Sequence, residues 1–489
     1  MVKVESILNL SKPDLVAKKL IKKRYWTTFR MSRICRMGGQ WFIWKEGEYK
    51  EIDDEFMRAK IRNWLLENTL KKENRFGKLV RANCSKRVVD EIVDALIAKA
   101  IIKSEESGFF WLRPDQSYCK TDSVVSFSNG LFDVENMKLH DHTPNWFTRS
   151  VLPYSYDKHA ICPVWKSWLF NICGKDADWV DCMQLWFGYN LSSDTSKQRF
   201  AHFFGLPRSG KGTTTRILTS FLGSWNCISP TLTQLGTNKH VLHGMVGKLA
   251  AIIPDAVMGR NVDSKVVMEL LSSIIGEDPV DVERKYLTTM SSIKMKVRFT
   301  VTSNEPLKWP DPTNKLSSRA LVFPFNHSYA GHEDPSVEQK LMLELPGIAN
   351  WALEGLKRLR NGEKLREPES GKEKHQLFRD LDSPISVFCK ECLEFKEGSD
   401  DYLDREHVQI VWDTWSRKEK RPTKGQTKTY VRSLVLNAFP RMVEKRKGPR
   451  GKQQAVYVGL RLTETGRGLL KEARKRVRGT DALRSSLNL

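Results

Sequence analysis

Apolar residues in the first 200 positions of the chain are spaced as short strands and helices. The segment GGQWFIWKEGEYKEI predicts two short strands around a turn at Glu46-Gly47, and the following DDEFMRAKIRNWLLENTL predicts a helix with an acidic first turn. Residues 125–160 again indicate strands and turns, with Asn129-Gly130 as the strongest turn signal. Residues 163–192 place Trp, Leu and Phe at helical spacing, which predicts a buried helix face.

The remainder of the pattern predicts three further parts. From residue 199 to about 325, apolar strands alternate with helical segments, as in a nucleotide-binding α/β domain, and a helix is predicted over 347–360. The next segment, NGEKLREPESGKEKHQ, is charged and has almost no apolar residues, which predicts a linker or exposed connection. Residues 384–478 carry three helix-like runs and then a basic turn between strand-like pieces, which favours a winged helix-turn-helix.

Charge separates the ends of the chain from its centre. The 489 residues carry a formal net charge of +23. Residues 1–40 contribute +8 and residues 411–489 contribute +15, while the remaining 370 residues balance 50 basic with 50 acidic side chains. The carboxy-terminal excess favours contact with phosphates over a basic surface that only aids solubility. The amino-terminal run KKLIKKRYWTTFRMSR fits phosphate binding and a solvated helix face equally well.

Composition excludes several classes of protein. At 40% hydrophobic and 28% charged residues, the chain is too apolar to be disordered overall. It has no run of 18 apolar residues and no signal-peptide core, so neither a membrane span nor secretion is expected. Nine scattered cysteines favour a reduced, cytoplasmic protein. For the CxxC pair Cys389 and Cys392, a buried helix face is favoured over a metal or redox role.

A strand, a glycine-rich loop and a helix follow one another in RFAHFFGLPRSGKGTTTRILTSFLG. This order is the context that a phosphate-binding loop requires, because the glycines let backbone N–H groups converge on phosphate oxygens and Lys211 adds a positive charge. The predicted nucleotide-binding residues are Gly205, Pro207, Arg208, Ser209, Gly210, Lys211, Gly212, Thr213 and Thr214. Gly212 stands where Ser or Thr ordinarily follows the lysine, so the magnesium-coordinating hydroxyl comes from Thr213 or is replaced by water.

Three later residues complete a predicted catalytic centre. Asp255 ends the apolar run in GKLAAIIPDA and is predicted to be a metal-binding acid, the alternative being a strand-ending turn. Asn304 ends KVRFTVTSN and is suited to orient the attacking water. Arg319, just before the apolar strand in KLSSRALVFPF, is suited to reach the γ-phosphate held by a neighbouring subunit. No base that activates the water can be named.

With these residues in place, the chain resembles the superfamily III helicases of phages, plasmids and large DNA viruses, specifically the satellite-phage and poxvirus type of primase-helicase. The resemblance covers about residues 125–360 and is carried, in the family's order, by SNGLFDVENMKL, HTPNWFTRSVLPYSYD, WFGYNLSSDTSKQRF, GLPRSGKGT, GEDPVDVERKY, TSNEPL, KLSSRALVF and LPGIANWALEGLKRL. It implies Lys211 as the Walker A lysine, Asp255 as the Walker B acid, Asn304 as sensor 1 and Arg319 as the arginine finger. It also implies ATP and Mg²⁺ as cofactors and a ring expected to be a hexamer.

The expected fold class is α/β, an AAA+-related P-loop ATPase core preceded by a mostly helical collar domain and followed by a winged helix-turn-helix domain. The expected boundaries are a basic amino-terminal accessory region (1–110), a collar-type domain with strands then helices (111–198), the ATPase/helicase domain (199–360), a linker (361–383) and the basic winged-helix domain (384–489).

Basic residues in two places are the candidates for DNA binding. The resemblance aligns GEDPVDVERKYLTTMSSIKMK with a β-hairpin that grips DNA in the central channel, and its candidate cations are Arg284, Lys285, Lys294 and Lys296. Any one of them fits a solvated strand edge equally well. In the carboxy-terminal unit, a recognition helix is predicted to carry Lys424, Lys428 and Arg432, and a wing to carry Lys445, Arg446, Lys447, Arg450 and Lys452.

The expected function is that of an ATP-dependent hexameric DNA helicase that unwinds DNA for replication of a phage, plasmid or other mobile element in the cytoplasm of a bacterial or archaeal host. Expected partners are single-stranded and duplex DNA, further copies of the chain, and a separate primase or initiator, because residues 1–120 contain no acidic cluster suited to priming. Two alternatives stay open. One is a DNA-binding initiator that uses ATP only as an assembly switch, and the other is a nucleotide kinase, suggested by GKGT but disfavoured by the large basic end.

Overall fold

The computed structural model describes residues 7–25, 31–102, 108–257, 262–284, 287–305, 315–382, 384–419, 431–432, 435–436, 438–439, 441–449 and 453–486. These residues form two compact units. The first extends to Lys374, and the second comprises the described residues from His375 onward.

The amino-terminal region of the first unit folds around a core of its own. Its strands are β1 (Ile7–Asn9), β2 (Ile34–Met37), β3 (Gln40–Lys45), β4 (Glu48–Ile52), β5 (Thr69–Glu73) and β6 (Leu79–Arg81), and its helices are α1 (Pro13–Arg24), α2 (Asp54–Leu66) and α3 (Lys86–Ala100). The strands form two sheets, in the orders β1-β5-β6 and β2-β3-β4. The helices bury Leu20, Ile61, Trp64 and Leu96 in one cluster, so the region expected as a basic accessory is a folded α+β body.

The next elements are small antiparallel sheets followed by two helices. They are β7 (Phe109–Trp111), β8 (Val124–Phe127), β9 (Gly130–Asp133), β10 (Lys138–His140), β11 (Trp146–Thr148), α4 (Pro163–Ile172) and α5 (Ala177–Leu191). Asn129-Gly130 lies between β8 and β9, where the turn was predicted. This order of strands before helices is the one that the apolar pattern predicts.

A five-stranded parallel sheet forms the centre of the first unit. Its elements and their connections are β12 (Phe200–Gly205), α6 (Lys211–Leu222), β13 (Cys227–Ile228), α7 (Leu232–Thr237), α8 (Val241–Met245), β14 (Ala250–Ile253), α9 (Ser264–Ile275), β15 (Val280–Arg284), β16 (Leu287–Ile293), β17 (Arg298–Ser303), β18 (Ala320–Phe325), α10 (Val337–Leu343) and α11 (Leu345–Arg360). The strand order is β13-β14-β17-β12-β18. Nearly all residues of these strands are buried, which explains their unbroken apolar runs.

One hydrophobic core joins the expected collar segment to the parallel sheet. It runs from Phe109 to Leu365 and includes side chains of α5, β12 and α11. Helices α5 and α11 approach closely at two glycines, since a Cβ on Gly188 would lie 2.5 Å from the Ala352 carbonyl oxygen and one on Gly355 would lie 2.5 Å from that of Gln184. The boundary expected at residue 198 therefore falls inside a continuous core.

The segment expected as a linker contains a helix and is attached to the first unit over its first half. Helix α12 spans Glu369–Asp382. Before it, Leu365 is buried, and Arg366 forms ion pairs with Asp178 at 2.5 Å and Asp181 at 3.0 Å. The high charge that suggested an exposed connection instead supplies ion pairs that fix residues 365–369 against α5.

The second unit combines helices with two small antiparallel sheets. Its elements are α13 (Pro384–Cys392), β19 (Leu393–Phe395), β20 (Tyr402–Asp404), α14 (Arg405–Lys418), β21 (Val443–Lys447), β22 (Gln454–Val458), β23 (Leu460–Leu462) and α15 (Glu464–Ser486). The sheet orders are β20-β22-β21 and β19-β23. Cys389 and Cys392 lie on α13 and are buried in the core of this unit, so the buried helix face predicted for the CxxC pair is confirmed. Burial raises the pKa of each thiol to about 12.

Helices long enough to span a bilayer would need about 20 predominantly apolar residues. Among the helices of the described ranges, none is both long and apolar enough to cross a membrane.

Candidate phosphate-binding site

The loop between β12 and α6 turns at two glycines whose conformations other residues rarely adopt. Gly205 ends β12 with φ 153°, and a Cβ there would lie 2.0 Å from the Phe325 carbonyl oxygen. Gly210, with φ 94°, is the N-cap of α6. Since α6 starts at Lys211, the free N–H groups of its first turn and its dipole face the loop. The backbone is therefore shaped to receive an anion.

Lys211 lies inside this loop. The residue is 8% exposed, and its ammonium donates to the carbonyl oxygens of Gly205 at 2.8 Å and Leu206 at 2.5 Å. Burial lowers the pKa of Lys211, and the charge of the nearby Asp255 carboxylate opposes that shift. A partly desolvated ammonium bound only to neutral oxygens gains from an anionic ligand, because a charge-assisted hydrogen bond is the stronger one.

Asp255 and Asn304 end neighbouring strands at the same edge of the sheet as the loop. Asp255 follows β14 with φ 47°, and its backbone N–H donates to the Thr302 hydroxyl at 2.9 Å. Both Asp255 and Asn304 are exposed, and both line the cavity that contains Lys211. Strand β17, which ends at Ser303 directly before Asn304, lies between β12 and β14. The structure thus brings together at one cavity three residues that the sequence singled out in three separate motifs.

The cavity at this edge has a volume of about 770 Å³, within the range of small-molecule and cofactor sites. Seven predicted loop residues line it: Pro207, Arg208, Ser209, Gly210, Lys211, Gly212 and Thr213. Gly205 and Thr214 do not. Gly205 packs against Phe325, and Thr214 is fully buried with its hydroxyl donating to the Gly210 carbonyl at 2.9 Å. The prediction that Thr214 binds the nucleotide is therefore corrected, since its hydroxyl serves the helix backbone.

Two loop residues already have side-chain partners at the cavity. Arg208 forms an ion pair with Glu333. The Thr213 hydroxyl accepts a hydrogen bond from Arg216 at 3.2 Å, and Arg216 also pairs with Glu338 at 2.7 Å. The Asp255 carboxylate and the Thr213 hydroxyl are hard oxygen donors lining one cavity with a phosphate loop, a donor set that fits Mg²⁺ shared with phosphate oxygens.

Sequence reasoning missed a second wall of the cavity. It is formed by α4 and by the segment after β18, through Trp168, Asn171, Ile172, Tyr329, His332, Glu333, Asp334 and Val337. Tyr329 joins these elements, because its N–H donates to the Arg208 carbonyl at 2.9 Å and its hydroxyl donates to that of Asn171 at 3.0 Å. The polar stretch HSYAGHEDPS after the last apolar strand was a usable signal, but the contribution of α4 depends on tertiary packing.

Arg319 lies at the amino-terminal end of the strands of the same sheet, whereas the phosphate loop lies at their carboxyl end. It immediately precedes β18, in which Ala320 pairs with Phe200 at the start of β12 and Phe325 pairs with Gly205 at its end. Five residues of strand separate the two positions, or about 16 Å. Its guanidinium donates to the Ser272 carbonyl at 2.9 Å, near the carboxyl end of α9. Arg319 is therefore remote from the phosphate loop of its own chain.

The β15–β16 hairpin forms where the resemblance implied a DNA-gripping element, but its cations differ in availability. Arg284 is 8% exposed and donates to the Gly38 carbonyl at 2.8 Å, so the prediction that it contacts DNA is corrected to a contact with the amino-terminal region. Lys296 pairs with Glu277 at 3.4 Å. Lys294 is exposed and follows β16. Lys285 lies outside the described residues.

In the second unit, strand β21 carries three consecutive exposed cations. Lys445, Arg446 and Lys447 are exposed on this strand, which pairs with β22. Arg432, predicted to face phosphates, instead donates to the Glu444 carboxylate through three contacts of 3.1, 3.0 and 2.5 Å. The other predicted residues, Lys424, Lys428, Arg450 and Lys452, lie outside the described part of the chain.

Two family models match the chain. The family described as D5 N terminal like matches residues 18–174, and a family of unknown function (DUF5906) matches residues 203–319. The second range contains Lys211, Asp255, Asn304 and Arg319. The first match begins well before residue 125, where the resemblance seen in the sequence begins.

Solved structures of one protein region are similar to the chain. The apo A form of the NrS-1 C-terminal region has a TM-score of 0.50 and 11% identity, and the match covers 91% of this chain and 100% of that one. A further apo structure of the same region has a TM-score of 0.48 and 12% identity, covering 92% and 100%. The first likeness, at 11% identity, indicates a shared fold.

Proposed function

We propose that this chain is an ATP-dependent ring helicase of superfamily III that unwinds DNA during replication of a phage, plasmid or other mobile element. The observation that carries the proposal is the placement of Asn304 directly after β17, the strand that lies between the strand of the phosphate loop and the strand that precedes Asp255. A site that only bound a nucleotide would need the lysine and the acid. A polar amide between them is suited to hold the water that attacks the γ-phosphate.

The proposal gives roles to the phosphate loop and to four polar side chains that line the cavity with it. The amino terminus of α6 and Lys211 bind the β- and γ-phosphates, and Asp255 with Thr213 holds Mg²⁺. When bound, the metal neutralises charge that develops on the phosphate oxygens. Before this, Arg216 must give up or share the Thr213 hydroxyl that it now contacts. Asn304 orients water, and the loop carbonyls that now accept from Lys211 release its ammonium to the phosphate.

The position of Arg319 supports assembly into a ring. Within one chain, Arg319 and the phosphate loop lie at opposite ends of the paired strands β18 and β12. In a ring, the Arg319 side chain of a neighbouring copy would reach the γ-phosphate instead. In this arrangement hydrolysis depends on contact between subunits, and the expected assembly is a hexamer. The exposed cations of β21 then bind DNA phosphates outside the ATPase region, and a separate primase or initiator completes the replication system.

One set of assays tests the proposal against its alternatives. ATP hydrolysis and unwinding of a forked duplex are measured with and without single-stranded DNA, for the native chain and for Lys211→Ala. The proposal expects hydrolysis stimulated by single-stranded DNA, ATP-dependent unwinding, and loss of both in the variant. ATP-dependent oligomers without strand separation would indicate the assembly-switch initiator. Phosphate transfer to a nucleoside monophosphate, insensitive to DNA, would indicate a kinase. Unwinding by Lys211→Ala would contradict the site assignment.

A further inference from the structure

The hairpin of β5 and β6 presents an aromatic ring to solvent at its tip. Phe76 is 72% exposed. The turn beneath it is fixed by Asn74, whose side-chain oxygen accepts hydrogen bonds from the N–H groups of Phe76 and Lys78, both at 3.0 Å. The Arg75 guanidinium carbon lies 4.8 Å from the centroid of the Phe76 ring. An Asx-type turn thus holds one apolar ring and one cation together at the end of a short sheet.

The same hairpin is strongly basic. Residues 71–81 contain five basic side chains, Lys71, Lys72, Arg75, Lys78 and Arg81, and one acidic side chain, Glu73. Glu73 accepts a hydrogen bond from Asn9 at 2.7 Å and lies 3.4 Å from the Lys12 ammonium, and these contacts lower its pKa. The carboxylate therefore stays ionised, and Lys12 balances its charge. All residues from Arg75 to Arg81 are exposed. The surface therefore attracts a polyanion and repels basic partners.

We infer that the β5–β6 hairpin is a binding site for single-stranded DNA, with a base stacked on Phe76 and the backbone phosphates bound by Lys72, Arg75, Lys78 and Arg81. This site is separate from the phosphate loop and from the cations of β21. It gives a function to the amino-terminal region.

Two features favour a single strand over other occupants. Cations on an exposed edge strand can serve only to prevent that strand from pairing with another chain. Preventing such pairing does not require an exposed phenylalanine at the tip of the hairpin. A duplex offers phosphates but keeps its bases stacked, so it would leave the ring unused. A single strand supplies both groups, since each unpaired base has a free face for stacking beside a charged backbone.

Phe56 provides a matched control on the same region. It is 50% exposed on α2, and the Lys60 ammonium lies 4.9 Å from its ring centroid. Its surroundings differ in charge, because Asp54 and Glu55 form the first turn of that helix. Phe56 therefore has the exposed ring and adjacent cation of Phe76 without the basic surface, and we expect it to contribute nothing to DNA binding.

The test measures binding of a fluorescein-labelled oligothymidylate to the full chain without nucleotide, by fluorescence anisotropy. We expect Phe76→Ala to raise Kd at least about fivefold, and Phe76→Tyr and Phe56→Ala to leave it unchanged. Replacing Arg75, Lys78 and Arg81 together by Gln should reduce the slope of log K against log salt by about 2. Thermal melting of each variant verifies that the fold is retained.

Ultraviolet cross-linking to the same oligonucleotide, followed by peptide mapping, locates the contact. A cross-link at Phe76 in both the native chain and Lys211→Ala would support the inference, and it would do so even if ATP-driven unwinding were absent. Equal Kd values for the two alanine variants, with cross-links elsewhere, would overturn it. A change in oligomeric state of Phe76→Ala without a change in Kd would also overturn it, by showing that the hairpin contacts another copy of the chain.

Discussion

The phosphate loop and the β15–β16 hairpin were both predicted from short sequence blocks, but they differ in how many of the predicted residues lie where their predicted role requires. Most of the predicted loop residues line one cavity with Asp255 and Asn304. In the hairpin, by contrast, Arg284 is buried against Gly38 and Lys296 is paired with Glu277. The loop works through backbone conformation, which its glycines specify locally. A cation works only if its surroundings leave it available, and the surroundings come from distant parts of the chain.

The β5–β6 hairpin is the opposite case, because its basic surface was not predicted from any sequence block. Charge counting drew attention to residues 1–40, yet part of that excess lies on α1, which packs its apolar face into the amino-terminal core. The cations of α1 are exposed, and a second exposed basic surface lies around Phe76, in a segment with no motif. Charge counting over the ends of the chain therefore did not locate the surface around Phe76.

Substitution of Arg319 is expected to have the largest effect, on the rate of ATP hydrolysis. It tests whether a residue predicted from a sequence motif acts as that motif implies. Arg319→Ala should still bind ATP but hydrolyse it about 10³-fold more slowly, because an arginine finger contributes at least that much to kcat. Binding is measured with a fluorescent nucleotide and turnover by phosphate release. Arg319→Lys keeps the charge without the planar fork and should recover little activity.

Mixing Arg319→Ala with Lys211→Ala subunits determines where Arg319 acts. If the finger serves the neighbouring copy, mixed rings contain some sites with an intact loop beside an intact finger, and turnover returns in part. Mixtures as inactive as either variant alone would mean that Arg319 does not act between subunits. Its present contact with the Ser272 carbonyl would then be its whole role.

Replacement of the cations of β21 should have an intermediate effect, on the affinity for duplex DNA. Replacing Lys445, Arg446 and Lys447 by Gln should weaken duplex DNA binding and reduce the slope of log K against log salt by about 3, since each lost phosphate contact removes about 0.9. Basal ATP hydrolysis should not change. Arg461→Gln is the matched control, because this exposed arginine pairs with Glu394 at 2.7 Å in the same unit. An unchanged slope in the triple variant would remove β21 from the DNA-binding surface.

Local signals predicted the parallel sheet, the phosphate loop and the turns at Glu46-Gly47 and Asn129-Gly130, because each depends on apolar runs or glycine conformations within a few residues. They did not predict that Arg366 and its neighbours attach the expected linker to α5, or that α4 and Tyr329 form a wall of the cavity. Those features depend on pairs of residues more than a hundred positions apart. Charge in the sequence shows that an ion pair is possible but not where its partner lies.

Substitution of Arg284 should have the smallest effect on DNA affinity, which would show that the β15–β16 hairpin does not use this cation to bind DNA. Its donation to the Gly38 carbonyl links the β15–β16 hairpin to the amino-terminal region, so Arg284→Gln should lower the free energy of unfolding by about 1 kcal/mol. Affinity for single-stranded and duplex DNA should stay the same. Lys239→Gln is the control, since this exposed lysine lies 3.8 Å from Glu283 of the same hairpin and should alter neither quantity. A strong loss of DNA binding at unchanged stability would show that Arg284 leaves Gly38 to contact DNA, and that burial in one conformation is a poor guide to which cations a hairpin uses.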